Sequence, residues 1–287
     1  MGILFLVATP IGNLEDITMR ALRVLREVRL IAAEDTRHTQ RLLSHYEITT
    51  RCISYHEHNK LARLDAILAA LGEGDVALVS DAGTPGVSDP GYELVCACIS
   101  AGFVVSPVPG PSAPVAALTA SGLPSDRFVF VGFLPRHGGE RRALLEDLAD
   151  LTLSLVCFEA PHRLVDALGD ILEVLGDRQI VVAKDLTKRF EDLRRGAVSV
   201  ALAHFSAHEP RGEYTLVIAG QPPGGERKRD RRRLSAPTLN EPPSEAEIAR
   251  RLCILRDQGL GGSAAARAVA RELGLQKSVV YEVWLSL

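Results

Sequence analysis

The chain has 287 residues, 46% of them hydrophobic and 24% charged, with a net charge of −3. This is the composition of a soluble globular protein, and it excludes the global basic field of a histone-like binder, so any nucleic-acid affinity must be local. The length exceeds one small core and suggests two domains with an appendage.

No leader-like segment precedes the first strand-like run, and no apolar stretch approaches the ~18 residues of a membrane span. A cytoplasmic protein with no membrane partner is expected. Cys52, Cys96, Cys98, Cys157 and Cys253 are odd in number and never form C-x-x-C. Four of the five sit in apolar or helical runs, which predicts reduced, buried thiols.

In chain order, strand and helix signals alternate. "ILFLVAT" (residues 3–9) is a continuous apolar run, as a parallel strand buried on both faces requires. The helical spacing of Ile17, Ala21, Val24 and Val28 follows, then strand "RLIAAED" (29–35) and helix "TRHTQRLLSHY" (36–46). "RCISYH" (51–56) is a third strand, and "NKLARLDAILAALGEG" (59–74) a helix. The fourth strand, 76–79, stops at Ser80-Asp81 and breaks into "AGTPGVSDPG" (82–91). Asp89-Pro90 reads as an N-cap with proline at the first helical position. The helix "GYELVCACISAG" (91–102) stops at Gly102, "FVVSPVPGP" (103–111) is a fifth strand, and Ser112 caps "APVAALTASG" (113–122). Five such units predict a parallel, doubly wound α/β sheet over residues 1–120.

From 121 to 220 a second α/β domain is expected. Its four strands are "RFVFVGFLP", "LTLSLVCFEA", "QIVVAKDL" and "GEYTLVIAG", with helices over 140–150, 162–175 and 197–205. Residues 221–243 carry five prolines and the run 227–233, six of seven basic, and read as a linker. Residues 244–287 are helical throughout. Ser263 can cap a helix with Ala266, Val269, Ala270 and Leu273 on one face; Gly274 breaks it, and Val279, Val280 and Val283 mark another. This is the pattern of a helix-turn-helix, though a plain helical hairpin fits it as well.

Ligands of open α/β sheets bind beyond the carboxyl ends of the strands. Residues 9–13, Glu34-Asp35-Thr36-Arg37, Asp81 and residues 109–112 all fall there. Any one of these loops can be explained as a turn or a cap; four on one rim favour a site. A strand-end carboxylate can hold ribose hydroxyls, and glycine lets a ligand approach the backbone. G-x-G-x-x-G, G-x-x-x-x-G-K-[ST] and G-x-S-x-G are all missing, which argues against dinucleotide, P-loop and serine-hydrolase chemistry. "HEH" (56–58) has no companion cluster, and no metal is expected. In the second half Glu159 ends a strand ahead of His162-Arg163, and Lys184, Asp185, Lys188 and Glu191 follow another. Salt-bridged structure and a substrate-facing site both fit these charges.

"LVATPIGNLEDIT", "IAAEDTRHTQRLL", "HEHN", "LVSDAGTPGVSDPGY", "VPGPSA", "GLPSDRFVFVGFLP", "FEAPHRL" and "RGEYTLVIAG" together resemble the tetrapyrrole methylase superfamily, and within it the bacterial 16S ribosomal RNA cytidine 2′-O-methyltransferases. The likeness spans essentially the whole chain. It implies a fold of two α/β domains with a cofactor cleft between them and a C-terminal helix-turn-helix-like module. It also implies a homodimer that uses S-adenosylmethionine on a decoding-centre cytidine of 16S rRNA within the small ribosomal subunit. The cofactor contacts it implies are Pro10, Ile11, Gly12, Asp81, Ala82, Gly83, Thr84, Ser112, Ala113, Phe158 and Glu159. Ala8 stands where proline is frequent, and Asp185 where glutamate is usual.

The expected chemistry is in-line attack of a ribose 2′-oxygen on a sulfonium methyl, with the protein supplying alignment and a nearby base. Among Glu34, Asp35, Arg37, Glu159 and Lys184, the Glu34, Asp35 and Arg37 cluster is the expected catalytic group. Arg136, Arg141, Arg142, the 227–233 run and Lys277 are expected to meet RNA phosphates. A same-fold methyltransferase of a tetrapyrrole or other small molecule, and a non-enzymatic nucleic-acid-binding protein, are the alternatives.

Overall fold

The computed structural model describes residues 2–222, 245–257, 262–273, 280–281 and 283–284. It falls into two compact units, Met1–Arg227 and Lys228–Leu287.

The first unit holds two five-stranded sheets. The strands of the first are β1 (Ile3–Val7), β2 (Leu30–Ala33), β3 (Cys52–Ser54), β4 (Val76–Val79) and β5 (Val104–Val108), parallel throughout in the order β3-β2-β4-β1-β5. Both faces are covered, as an all-parallel sheet requires. Side chains alternate between faces along a strand, so Leu30 and Ala32 join Val76 and Leu78 in a core under α3 (Lys60–Glu73) and α4 (Tyr92–Ser100). Ile31 and Ala33 join Ala77 and Val79 in the opposite core, under α1 (Met19–Glu27) and α2 (Thr36–His45).

The second sheet comprises β6 (Phe128–Phe133), β7 (Ser154–Glu159), β8 (Gln179–Lys184), β9 (Asp192–Ala197) and β10 (Tyr214–Ile218), in the order β6-β7-β10-β8-β9. Only β6 and β7 run parallel; the other neighbours are antiparallel. One face packs on α6 (Gly138–Leu148), α7 (Leu164–Leu175) and α8 (Val198–Ala207). The other face takes Ala117 and Leu118 of α5 (Ala113–Ser121), together with Ile11 from the loop after β1. The helix leaving the first sheet therefore packs against the second, and this fixes the two halves together. Arg195 of β9 strengthens the junction by donating to the carbonyls of Ala120 (2.6 Å) and Ser121 (3.2 Å) at the end of α5.

Several expectations need correction. β9, "DLRRGA", is a fifth strand where four were expected; it is a polar edge strand with no apolar alternation to mark it. Asp89 is not an N-cap: α4 begins at Tyr92 with Gly91 capping, because the turn continues through Gly86 and Ser88, both at positive φ. Ser112 does hold the N-cap position of α5, but its side chain makes no bond to the first turn. Cys98 and Cys157 are buried, whereas Cys52 and Cys253 are partly exposed and Cys96 is exposed. Arg141 is buried and bonded through Nε to Asp170 (2.6 Å), so it is tied into structure instead of facing RNA, whereas Arg142 pairs with the same carboxylate (2.8 Å) and stays partly exposed.

In the second unit α9 (Glu245–Asp257) and α10 (Gly262–Leu273) bury Ile248, Leu252, Ala265, Ala266, Val269 and Ala270 with Val280 and Val283. Ser263 lies inside α10, one residue past its start. Most of the expected 221–243 linker, the Gly274 turn and Lys277 lie outside the described residues. No helix among the described residues is long and apolar enough to cross a membrane.

Candidate active site

The loops after β1, β2, β4 and β5 leave the same edge of the parallel sheet, because parallel strands end together. Two of them are tied directly: Thr9 N–H donates to Gly83 O (2.9 Å), and Gly83 N–H donates to Thr9 O (3.0 Å). Gly83 has φ +83°, which only glycine adopts without strain, and this turns the backbone of residues 82–84 outward past Ile11. Gly12 serves closeness instead. A Cβ there would stand 2.5 Å from Lys188 Cγ and 2.7 Å from Leu186 O, so the loop after β1 rests on the loop after β8.

Two cavities open on this rim. The first, about 360 Å³, is lined by Ile11, Ala82, Gly83, Thr84, Ser112 and Ala113 from the first sheet's loops, and by Phe158 and Glu159 from β7. Eight of the eleven expected cofactor contacts thus lie together. The other three, Pro10, Gly12 and Asp81, line a second cavity of about 370 Å³ that shares Ile11, Ala82 and Glu213 with the first. Glu34, Asp35 and Arg37, the expected catalytic group, line neither. The Arg37 side chain is 88% exposed, and its guanidinium pairs with Asp35 at 2.8 Å. Asp35 and Glu34 grip Asp81 instead: Asp35 N–H donates to Asp81 Oδ1 (3.0 Å), and Asp81 N–H donates to Glu34 Oε2 (3.3 Å).

The first cavity is acidic. Among the described residues its lining includes Asp89, Glu159 and Glu213 and no lysine, arginine or histidine. Burial, with Glu34 and Asp81 nearby, pushes the Asp89 carboxyl up to about 6, against an opposing bond from Ser80. Glu159 is wholly buried. Its Oε1 takes Ala160 N–H (2.8 Å) and the Arg163 guanidinium, while Oε2 has no partner among the described residues. Burial raises its pKa, opposed by those same donors. A buried carboxylate oxygen without a donor fits a ligand that brings N–H groups and positive charge. The reading of the sequence missed Asp89, because Asp-Pro looks the same whether it caps a helix or lines a pocket. It also missed Phe133 and Tyr214, which line the same cavity from the second sheet.

The fold and the site together define a class of two-lobed methyltransferases. The sequence pattern of the family described as Tetrapyrrole (Corrin/Porphyrin) Methylases matches residues 4–201. Two crystal structures of the uroporphyrin-III-C-methyltransferase from Thermus thermophilus show this fold, with TM-scores of 0.53 and 0.55 at 22% and 21% identity. They match 76% of this chain and 94% and 97% of theirs. A relative called ribosomal RNA small subunit methyltransferase I, from Synechocystis sp., is 48% identical over 100% of this chain and 99% of its own. Relatives of the same name from Thermotoga maritima (51% identical, 77% of this chain, 100% of its own) and Escherichia coli O157:H7 (49%, 76% and 78%) match the larger part. The chain belongs to the tetrapyrrole methylase family, in the branch formed by these ribosomal RNA small subunit methyltransferase I relatives.

Proposed function

We propose that the chain methylates the ribose 2′-oxygen of a decoding-centre cytidine in 16S rRNA, using S-adenosylmethionine, in the cytoplasm and as a homodimer on the small ribosomal subunit. The relatives' shared name supports the RNA substrate. The observation that carries the cofactor is the first cavity: among the described residues it has three carboxylates, no cationic side chain, and a Glu159 Oε2 without a partner. Such a lining suits a sulfonium and an ammonium and repels a polyphosphate.

S-adenosylmethionine supplies, when bound, an electrophilic methyl group. The chain's residues then bind and align. Backbone at Ala82, Gly83 and Thr84 gives close approach, Ser112 and Ala113 lie opposite, Phe158 offers an apolar face, and Asp89 and Glu159 offset positive charge. Pro10 and Gly12 hold the floor against the loop after β8. Asp81, beside the shared residue Ala82, is the carboxylate placed to accept the hydroxyl proton. Glu34 and Asp35 become positioning residues that hold Asp81, and Arg37 holds Asp35.

The test is mass mapping of 16S rRNA from cells with and without the gene, joined to transfer of labelled methyl groups to purified small subunits. Loss of one ribose methyl in the deletion and its restoration in vitro are expected. An unchanged RNA, or labelling of a tetrapyrrole in place of the subunit, overturns the reading.

A further inference from the structure

The second cavity has no occupant under that function beyond the proton acceptor at its edge. It differs from the first in three ways. Its lining includes His38, Arg41 and Lys188. Lys188 is held by Glu213 (3.0 Å) and Asp185 (3.2 Å), whereas the exposed side chains of His38 and Arg41 have no hydrogen bond or ion pair among the described residues. Arg41 is a free positive group at a mouth, and His38 offers a free imidazole beside it.

Inside lies Thr39, 2% exposed, whose Oγ1 is buried without a partner. A helical threonine commonly bonds back through its hydroxyl to the carbonyl three or four residues earlier, as Thr119 does, but the Thr39 hydroxyl has no bond among the described residues. A buried hydroxyl left this way destabilises the fold unless a ligand completes it. The rest of the wall includes Ile11, Leu14 and Leu42, apolar surface against which a base can lie. The volume, about 370 Å³, is within the range of small-ligand sites.

A pocket with apolar walls, one buried hydroxyl left without a partner among the described residues, and an unpaired arginine at its mouth matches the chemistry of an unpaired nucleotide: a flat base, a hydroxyl-bearing sugar and flanking phosphates. Resting on the ribosomal RNA reading above, we propose that this cavity seats the acceptor nucleotide. The Thr39 hydroxyl hydrogen-bonds to the nucleotide within the cavity, and Arg41 and His38 hold the flanking phosphates. Its ribose then lies at the boundary formed by Ile11 and Ala82, the residues common to both cavities.

The experiment uses full-length protein, small subunits from cells lacking it, and labelled S-adenosylmethionine. Thr39→Val is expected to lower kcat/KM about tenfold and Thr39→Ser to restore it, as loss and return of one hydrogen bond require. Arg41→Ala, on the surface and harmless to folding, is expected to raise KM for the subunit about tenfold with kcat kept, and to reduce the salt slope by about one. Cofactor affinity by calorimetry stays within about twofold in all three variants. Wild-type kinetics in Thr39→Val and Arg41→Ala overturn this assignment alone, as does a loss of cofactor affinity that matches the loss of rate. A wild-type protein that leaves the subunit unmethylated overturns the RNA reading, and this assignment with it.

Discussion

The two cavities share Ile11, Ala82 and Glu213 and are nearly equal in volume, yet their linings differ in charge. Among the described residues, the first presents Asp89, Glu159 and Glu213 without a cation, whereas the second sets His38, Arg41 and Lys188 beside Asp81 and Glu213. Shape alone does not tell them apart. Charge does, because a cationic methyl carrier and a polyanionic acceptor must be drawn to neighbouring places without exchanging them. The difference has a topological origin. The first cavity is closed by the end of β7 and the start of β10, on the second sheet, whereas the second lies against the first turns of α2. One rim therefore borrows its chemistry from two different lobes.

The sharpest way to break this contrast is Asp81→Asn, which keeps the oxygen that accepts Asp35 N–H and removes the base. A fall in kcat of about 10²–10⁴-fold is expected, with cofactor affinity unchanged by calorimetry. Affinity that collapses together with the rate would put Asp81 in the first cavity and erase the division. Glu159→Gln is the counterpart. The amide keeps its shape but loses the charge and one acceptor oxygen, at a cost of about 1.5–3 kcal/mol in cofactor binding, roughly tenfold to a hundredfold. KM for the small subunit is expected to hold.

A smaller effect separates the cavities by pH. Asp89 titrates near 6 in the folded protein, against an ordinary carboxyl value of 3.8. Its folded pKa lies above its unfolded one, so the stability it contributes is full below 3.8 and is lost as pH rises through about 6. Thermal melts of the ligand-free protein should therefore show a gain on acidification across that window. Cofactor binding runs the other way, since a cation prefers the ionised carboxylate, and affinity should rise through about pH 6 and then level. Asp89→Asn should flatten both curves. A pH-independent affinity in the wild type would mean that Asp89 does not face the cation.

How much of this was legible in the sequence follows from what each residue depends on. The parallel sheet was legible because β2 and β4 are buried on both faces and read as unbroken apolar runs. The rule that ligands gather at strand ends then located the loops of Ile11, Ala82, Gly83 and Ser112. Glu159 was marked by its strand end as a structural or substrate-facing charge, whereas its place among the cofactor contacts, and Phe158 altogether, came from family likeness, since nothing local shows that they meet loops more than forty residues away. β9 was illegible: a polar edge strand is made by its pairing with β8 and not by its own pattern. Arg141 looked like a surface cation until Asp170, 29 residues on, came beside it. Thr39 was hidden for the same reason, because its orphaned hydroxyl is a property of packing around α2, where the sequence shows only an ordinary helix.

The mildest change tests the residues that the sequence favoured for catalysis. Arg37 is on the surface and pairs with Asp35 two residues away, and the guanidinium holds the Asp35 carboxyl well below the usual carboxylate range. Exposed pairs of this kind contribute little to stability. The Asp35 contact that matters to the site is its backbone N–H on Asp81, and this contact survives without the arginine. Arg37→Ala is therefore expected to leave the unfolding midpoint and the cofactor affinity where they are, and to slow methyl transfer by less than about threefold. Saturation kinetics on small subunits measure it. A hundredfold loss of kcat would return Arg37 to the reacting groups, and would mean that the acceptor ribose lies outside the second cavity, against the start of α2.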